Sequence, residues 1–254
     1  MKLDFTFEKY RQLINILKER RYAFYTFKDI VVNNTNLKSP HVILRHDVDR
    51  LPMRALKLAR LEYILKIKST YFFRSKPISF DEKIIKRIVD WGHEIGYHYE
   101  NLSHAKGNYE KALNDFEKKL KILRKFYPIK TMCMHGSPMS KWDNRKLWRK
   151  NDYKKYGIFA EPYFDLDFNK ILYITDASRT WNNDKVNLRD KVKTNYNFSF
   201  STIFDIINLF EKGKLPKKVM INIHPHNWAT NAINWYKIFI VQNTKNLIKR
   251  FIKR

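Results

Sequence analysis

Five short stretches of the chain carry side chains that hold metals or move protons. In the first, Arg45, His46, Asp47, Val48, Asp49 and Arg50 follow the apolar run Val42, Ile43 and Leu44. Side chains alternate along a strand, which sends Asp47 and Asp49 to the same side. Two carboxylates so placed repel unless a cation or a proton lies between them. That arrangement suits a division of labour in which one acid binds a metal and the other acts as a base. The plainer alternative is a loop in which the acids pair with Arg45 and Arg50.

The second stretch, His93 to His104, offers His98 at the expected end of a strand, with Glu100 and His104 in the loop beyond. His98 and His104 are six residues apart, longer than the i, i+4 spacing that puts two ligands on one helical face. A loop can still bring them together, and Glu100 competes for the same role. In the third, His135 precedes Gly136, and glycine permits close approach of a ligand to the backbone. The nearby Cys133 reads as a small buried hydrophobe. In the fourth, Asp176 is followed by Arg179 and Trp181: an acid that can orient a catalytic group, a base, and an indole that can stack on a sugar. In the fifth, His224, Pro225, His226 and Trp228 close an apolar run. Pro225 interrupts the strand, so His224 rather than His226 is expected to face inward. Arg45, His135, Arg179, Trp181 and Trp228, the bases and aromatics beside these acids, are the expected substrate contacts.

The elements that position these residues alternate between short apolar runs and longer helical patterns. Strands are expected at His41 to Asp47, Ser69 to Phe73, His93 to His98, Thr131 to His135, Ile171 to Thr175 and Val219 to His224. Helices are expected over Phe7 to Arg20, from Pro52 to about Lys66, and from a cap at Asp81 to Trp91, with Gly92 as stop. Further helices are expected after a cap at Asn108, over Ser201 to Glu211, and over Asn231 to Arg254. Repeated strand–helix units imply a parallel sheet covered by helices, with chemistry at the carboxyl ends of the strands. Asp47, His98, His135, Asp176 and His224 all fall at such ends. No linker or fixed-period repeat divides the chain, so residues 1–254 read as one domain with a basic helix at about 231–254.

Composition narrows the class. The 254 residues are 44% hydrophobic and 15% aromatic, enough to build a core. Lys and Arg number 51 against 25 Asp and Glu, a formal charge of +26 that favours phosphates, acidic glycans or anionic lipid. The basic residues are spread along the chain and no zinc-finger or aromatic RNA-binding signature is present, which argues against a specific nucleic-acid partner. A single cysteine excludes an intrachain disulfide. The start of the chain lacks the apolar run of a signal peptide, and no stretch approaches the roughly 18 apolar residues of a membrane span. A cytoplasmic location is expected.

Together, the strings Arg45 to Arg50, Gly92 to Glu100, His135 to Arg145 and His224 to Trp228 resemble the polysaccharide deacetylase superfamily. The similar branch has Arg-His-Asp-Val-Asp as its first motif, and the resemblance runs from Tyr10 to the last helix. It implies an α/β fold, a distorted (β/α) barrel of about seven strands. It also implies a zinc-type divalent ion held by an Asp and two His, and removal of an acetyl group from an N-acetylated sugar. Carried over, Asp47 resembles the catalytic base, Asp49 and His98 metal ligands, His224 the general acid, and Asp176 the acid that orients it. Where the family commonly has its second metal histidine, this chain has Leu102, so either His104 or Glu100 completes the set or the ligand set is a different one. His135, Gly136, Ser137 and Pro138 replace the usual arginine-containing third motif.

The expected substrate is an intermediate of surface-polysaccharide assembly, a nucleotide or lipid-linked sugar that reconciles a cytoplasmic enzyme with the charge of +26. The alternatives are a barrel that binds glycan without catalysis, or a basic membrane-associated protein of the same fold. In the last helix, Ile240, Leu247, Ile248, Phe251 and Ile252 lie among Lys245, Lys249, Arg250, Lys253 and Arg254, a pattern that fits a helix lying on an anionic membrane.

Overall fold

The structure, a computed structural model, describes residues 3–32, 37–182 and 185–252. Seven strands form one sheet: β1 (Ala23–Tyr25), β2 (His41–Val48), β3 (Thr70–Phe73), β4 (Glu94–Tyr99), β5 (Met132–Met134), β6 (Leu172–Thr175) and β7 (Lys218–Ile223). All strand pairs are parallel, in the order β5-β4-β3-β2-β7-β6, with β1 also beside β2. The start of β2 pairs with β1 and its end with β3 on one flank, while β7 runs along the other. Every residue of β2 is buried, as a parallel strand covered on both faces requires. The three-residue β1 and its pairing were not legible in the sequence.

Among the described residues nine α-helices accompany the strands: α1 (Phe7–Glu19), α2 (Phe27–Val32), α3 (Pro52–Ile64), α4 (Glu82–Asp90), α5 (Asn101–His104), α6 (Tyr109–Leu123), α7 (Pro162–Asp165), α8 (Ile203–Glu211) and α9 (Ala232–Ile252). Their starts follow capping chemistry. The side chains of Thr6, Asp81 and Asn108 accept backbone N–H bonds from Lys9, Ile84 and Lys111, and Pro52 opens α3. Gly92 ends α4 at φ +83°, in the left-handed region that favours glycine.

Two apolar clusters lie between the sheet and its outer helices. Side chains of α3, α4 and α6, among them Ala55, Ile85 and Phe116, pack on β3 and β4 through Tyr71 and Ile95. Those of α1 and α8, including Leu13, Leu17 and Ile206, pack on β2, β6 and β7 through Leu44, Ile174 and Ile221. A third cluster fills the opposite face. It joins Ile43, Phe72, Cys133, Tyr173 and Met220 from five different strands. Cys133 and Tyr173 belong to strands at opposite ends of the sheet order, so the sheet curls until its edges face one another. Gly96 makes room for this interior: a Cβ there would lie 2.3 Å from the Phe72 ring.

Among the described residues β5 and β6 do not pair. The gap is crossed by the segment after residue 157, where Phe159 N–H donates to Lys130 O and Met132 N–H to Ala160 O at 2.7 and 3.2 Å. The result is a distorted seven-stranded (β/α) barrel whose strands deliver their carboxyl ends to one mouth. No helix among the described residues is long and apolar enough to cross a membrane.

Candidate metal centre and acid–base site

At that mouth lies a cavity of about 120 Å³ whose walls include Asp47, Asp49, His98, His135, His224 and His226. Asp47 and Asp49 reach it together, as alternation along β2 requires, although the strand itself ends at Val48. The intervening motif residue His46 points to the other face, where its Nε2 lies 2.7 Å from Glu62 and its ring stacks on Tyr71.

Asp49, His98 and His135 each present a ligand atom within 4.8 Å of the others. Asp49 Oδ1 lies 3.3 Å from His98 Nε2 and 3.5 Å from His135 Nε2, and it is buried without a hydrogen-bond partner. The far nitrogen of each ring is already engaged. His98 Nδ1 meets the Cys133 carbonyl at 3.0 Å, and His135 Nδ1 meets Glu100 at 3.1 Å. A proton on each Nδ1 leaves both Nε2 lone pairs facing Asp49, as when a metal-binding histidine donates its other N–H to a carbonyl or carboxylate behind it. One carboxylate and two imidazoles form a borderline donor set of the kind zinc takes, and the residues present fit such an ion.

A second group, Asp47, His98 and Cys133, is equally compact. It is the poorer cage, because burial pushes the Cys133 thiol well above its ordinary pKa and Asp47 is already engaged by Arg45.

His135 therefore stands where the sequence reading placed His104 or Glu100. Glu100 is held by Arg74, whose Nε and one terminal nitrogen donate at 2.8 and 2.9 Å. Burial raises its pKa, but hydrogen bonds from His104, His135 and Arg74 overcome this and hold it well below the carboxylate range. Glu100 thus backs His135 as an anion. His104 sits on the short α5, with Nε2 3.3 Å from Glu100 and Nδ1 near Asp115 and Lys119. It reaches the carboxylate behind the centre and not Asp49. The helix α5, invisible in the sequence, sets that position.

Asp47 is gripped by Arg45 through two hydrogen bonds, 2.9 Å to Oδ1 and 2.6 Å to Oδ2, and receives Asn222 Nδ2 at 3.1 Å. Burial would raise its pKa; Arg45 and His98 bring it down to about 2. Its Oδ2 lies 3.8 Å from His98 Nε2 and 3.9 Å from His224 Nε2. His224 leans on Asp176, with Nδ1 2.6 Å from Oδ1. Burial opposes its protonation, but Asp176 outweighs burial and lifts the pKa to about 10. Asp176 is itself fixed by the His224 backbone N–H at 2.9 Å and Trp228 Nε1 at 2.7 Å.

Four expected substrate contacts are corrected. Arg45 is fully buried and holds Asp47. Trp228 is buried against Phe5 and Tyr10, and Trp181 stacks on Phe5 while donating to Asp4. Arg179 lies over the rings of Trp235 and Phe5 and is absent from the cavity wall. Arg179 and Trp181 follow Asp176, and Trp228 follows His224, through short turns after the strands that carry the side chains into the wall, whereas Arg45 lies within β2 itself.

Sequence reasoning missed Asp190, Tyr163 and Gln242 and set aside His226, yet all four line the cavity. Asp190 accepts from Tyr173, from Tyr163 and Thr175 at 2.5 Å, and from Asn222 at 3.2 Å. Asn222 was legible in principle, as the polar residue among the apolar neighbours of β7. Asp190 lies in a long irregular segment with no periodic signal.

No family model matches the chain, and no curated protein matches it. Among solved structures, it is similar to a Streptococcus mutans CE4 esterase, with 16% identity over 93% of this chain and 90% of that one and a TM-score of 0.45. It is similar to the catalytic domain of a peptidoglycan N-acetylglucosamine deacetylase from Eubacterium rectale, with 12% identity over 83% and 87% and a TM-score of 0.48. A CE4 family pseudoenzyme from Bacillus anthracis is 12% identical over 84% of this chain, with a TM-score of 0.46, and the match spans 63% of that protein.

Proposed function

We propose that the chain is a metal-dependent carbohydrate N-deacetylase. The observation that carries this reading is one cavity holding three convergent metal donors, a carboxylate held ionised by Arg45, and an imidazole held protonated by Asp176. These are the parts amide hydrolysis needs: a base for water, an acid for the leaving amine, and a positive centre for the acyl oxygen.

Asp49, His98 and His135 would hold the ion. A divalent ion held there supplies Lewis-acid polarisation of the acyl oxygen and makes water easier to deprotonate. Asp47, fixed by Arg45 and Asn222, takes a proton from the attacking water. His224 gives a proton to the amine nitrogen as the carbon–nitrogen bond breaks, leaving acetate and a free amino sugar. At about 120 Å³ the cavity is well under the roughly 300–1,000 Å³ that surrounds a drug-sized ligand. It suits the acetyl group, with the sugar at the mouth.

The preferred substrate is an N-acetylated sugar that carries phosphate, either nucleotide-linked or lipid-linked, in keeping with the charge of +26. Acetate release by the zinc- or cobalt-loaded protein from neutral and phosphate-bearing N-acetyl sugars tests the reading. Release that stops on chelation and returns with metal is expected. Folded, metal-loaded protein that releases none across the panel overturns it in favour of a glycan-binding barrel.

A further inference from the structure

The helix α9 buries two amides beside Trp235 and leaves large apolar side chains outside. Its amide residues Gln242 and Asn246 are 7% exposed, while Ile233 and Ile240 are 69% and 64% exposed. Gln242 forms part of the cavity wall, and Asn246 donates to Ser178 O at 2.9 Å. Leu247 and Tyr236 share the outward face with the two isoleucines, at helical spacing. Seven of the large exposed hydrophobics among the described residues belong to this one helix. A face so arranged loses solvent-free contact unless something apolar covers it.

The charge around it selects the cover. From Lys212 to Arg254 the sequence contains no Asp or Glu, whereas Lys237 and Lys245 are exposed on α9. Lys245 lies close enough to Arg50 for the two cations to repel. Leu51 and Met53, just beyond Arg50, are also exposed. A second copy of a chain with charge +26 would bring like charges together, while an anionic lipid surface is complementary.

We infer that the outer face of α9 seats the protein on an anionic bilayer, with Lys237 at its margin meeting lipid headgroups. The cavity mouth then lies within one helix diameter, about 10–12 Å, of the lipid surface. With the deacetylase reading, on which this last step rests, the substrate is a lipid-linked sugar rather than a freely soluble one. Lys253 and Arg254 and the side chains of 249–252, which the sequence pattern adds to this helix, lie outside the described residues.

The test is flotation of the full chain with vesicles of phosphatidylcholine alone and of phosphatidylcholine with phosphatidylglycerol. Flotation with the anionic vesicles only is expected. It should fall roughly tenfold in a variant carrying Ile233→Ser, Ile240→Ser and Leu247→Ser, whose thermal melt and acetate release from a soluble sugar stay unchanged. Absence of flotation, equal flotation of the variant, or a dimer in light scattering that the same substitutions dissolve would each overturn the inference. Asp49→Ala should still float, so wild-type protein that floats yet releases no acetate from any sugar removes the deacetylase reading and leaves the docking face standing.

Discussion

At Asp47 the physical demand is to keep a carboxylate charged where little water reaches it, and Arg45 meets that demand from two residues away on the same strand. Removing one partner of a buried ion pair leaves the other unpaired, at about 3–5 kcal/mol. Arg45→Met should therefore lower unfolding stability in denaturant by that order, and should cut acetate release by roughly 100-fold or more. Unaltered rates would mean that Asp47 is not the base. Because the folded pKa of Asp47 is depressed to about 2, the pair stabilises the metal-free protein above the ordinary carboxylate range and is lost as pH falls toward that value. His224 works in the opposite sense. Its pKa is raised to about 10, so its contribution is full below the ordinary histidine value and disappears as pH rises through about 10. Asp176→Asn should shift the basic limb of the kcat/KM profile to lower pH; a limb that does not move would separate Asp176 from the acid. Asp47, His98, Asp176 and His224 were legible because each ends an apolar strand. His104 and Arg179 misled because a short helix and a tight turn follow those strands, and neither carries a periodic signal.

The elements explain why the site is rigid. β2 is buried along its whole length and places Asp47 and Asp49, while β4 and the end of β5 place His98 and His135 beside it. The interior that supports them depends on Gly96 yielding space to Phe72. Gly96→Ala should destabilise the fold by about 1–3 kcal/mol through overpacking, read as a lower denaturation midpoint. A neutral result would mean that the sheet can open without strain. Capped helices were the most legible elements, since Asp81 and Asn108 announce their starts by side-chain chemistry. Strands β2 and β7 were legible from their apolar runs. The strand β1 was not, because three half-buried residues give too short a pattern to distinguish from a loop. The 158–168 segment that crosses the gap between β5 and β6 was illegible for a related reason: it joins the sheet by isolated backbone hydrogen bonds rather than by a strand.

Over the whole molecule, the excess of positive charge acts at a distance on whatever approaches the mouth. For a phosphate-bearing sugar, kcat/KM should fall as salt rises from low to physiological ionic strength, where screening length shrinks to about 8 Å. For a neutral N-acetyl sugar it should hardly change. Equal salt dependence for both would detach the charge from substrate choice. The sequence could report this charge but not its placement, and it is the exposed apolar face of α9 that turns a general excess into a particular face.

Metal content decides the centre most directly. Purified protein loaded with zinc and then exchanged into metal-free buffer should retain a divalent ion by elemental analysis. Retention should be lost in Asp49→Ala, His98→Ala and His135→Ala, and preserved in His104→Ala. An ion that survives His135→Ala but is lost in His104→Ala would contradict the site described above and restore the ligand set that the family resemblance implied.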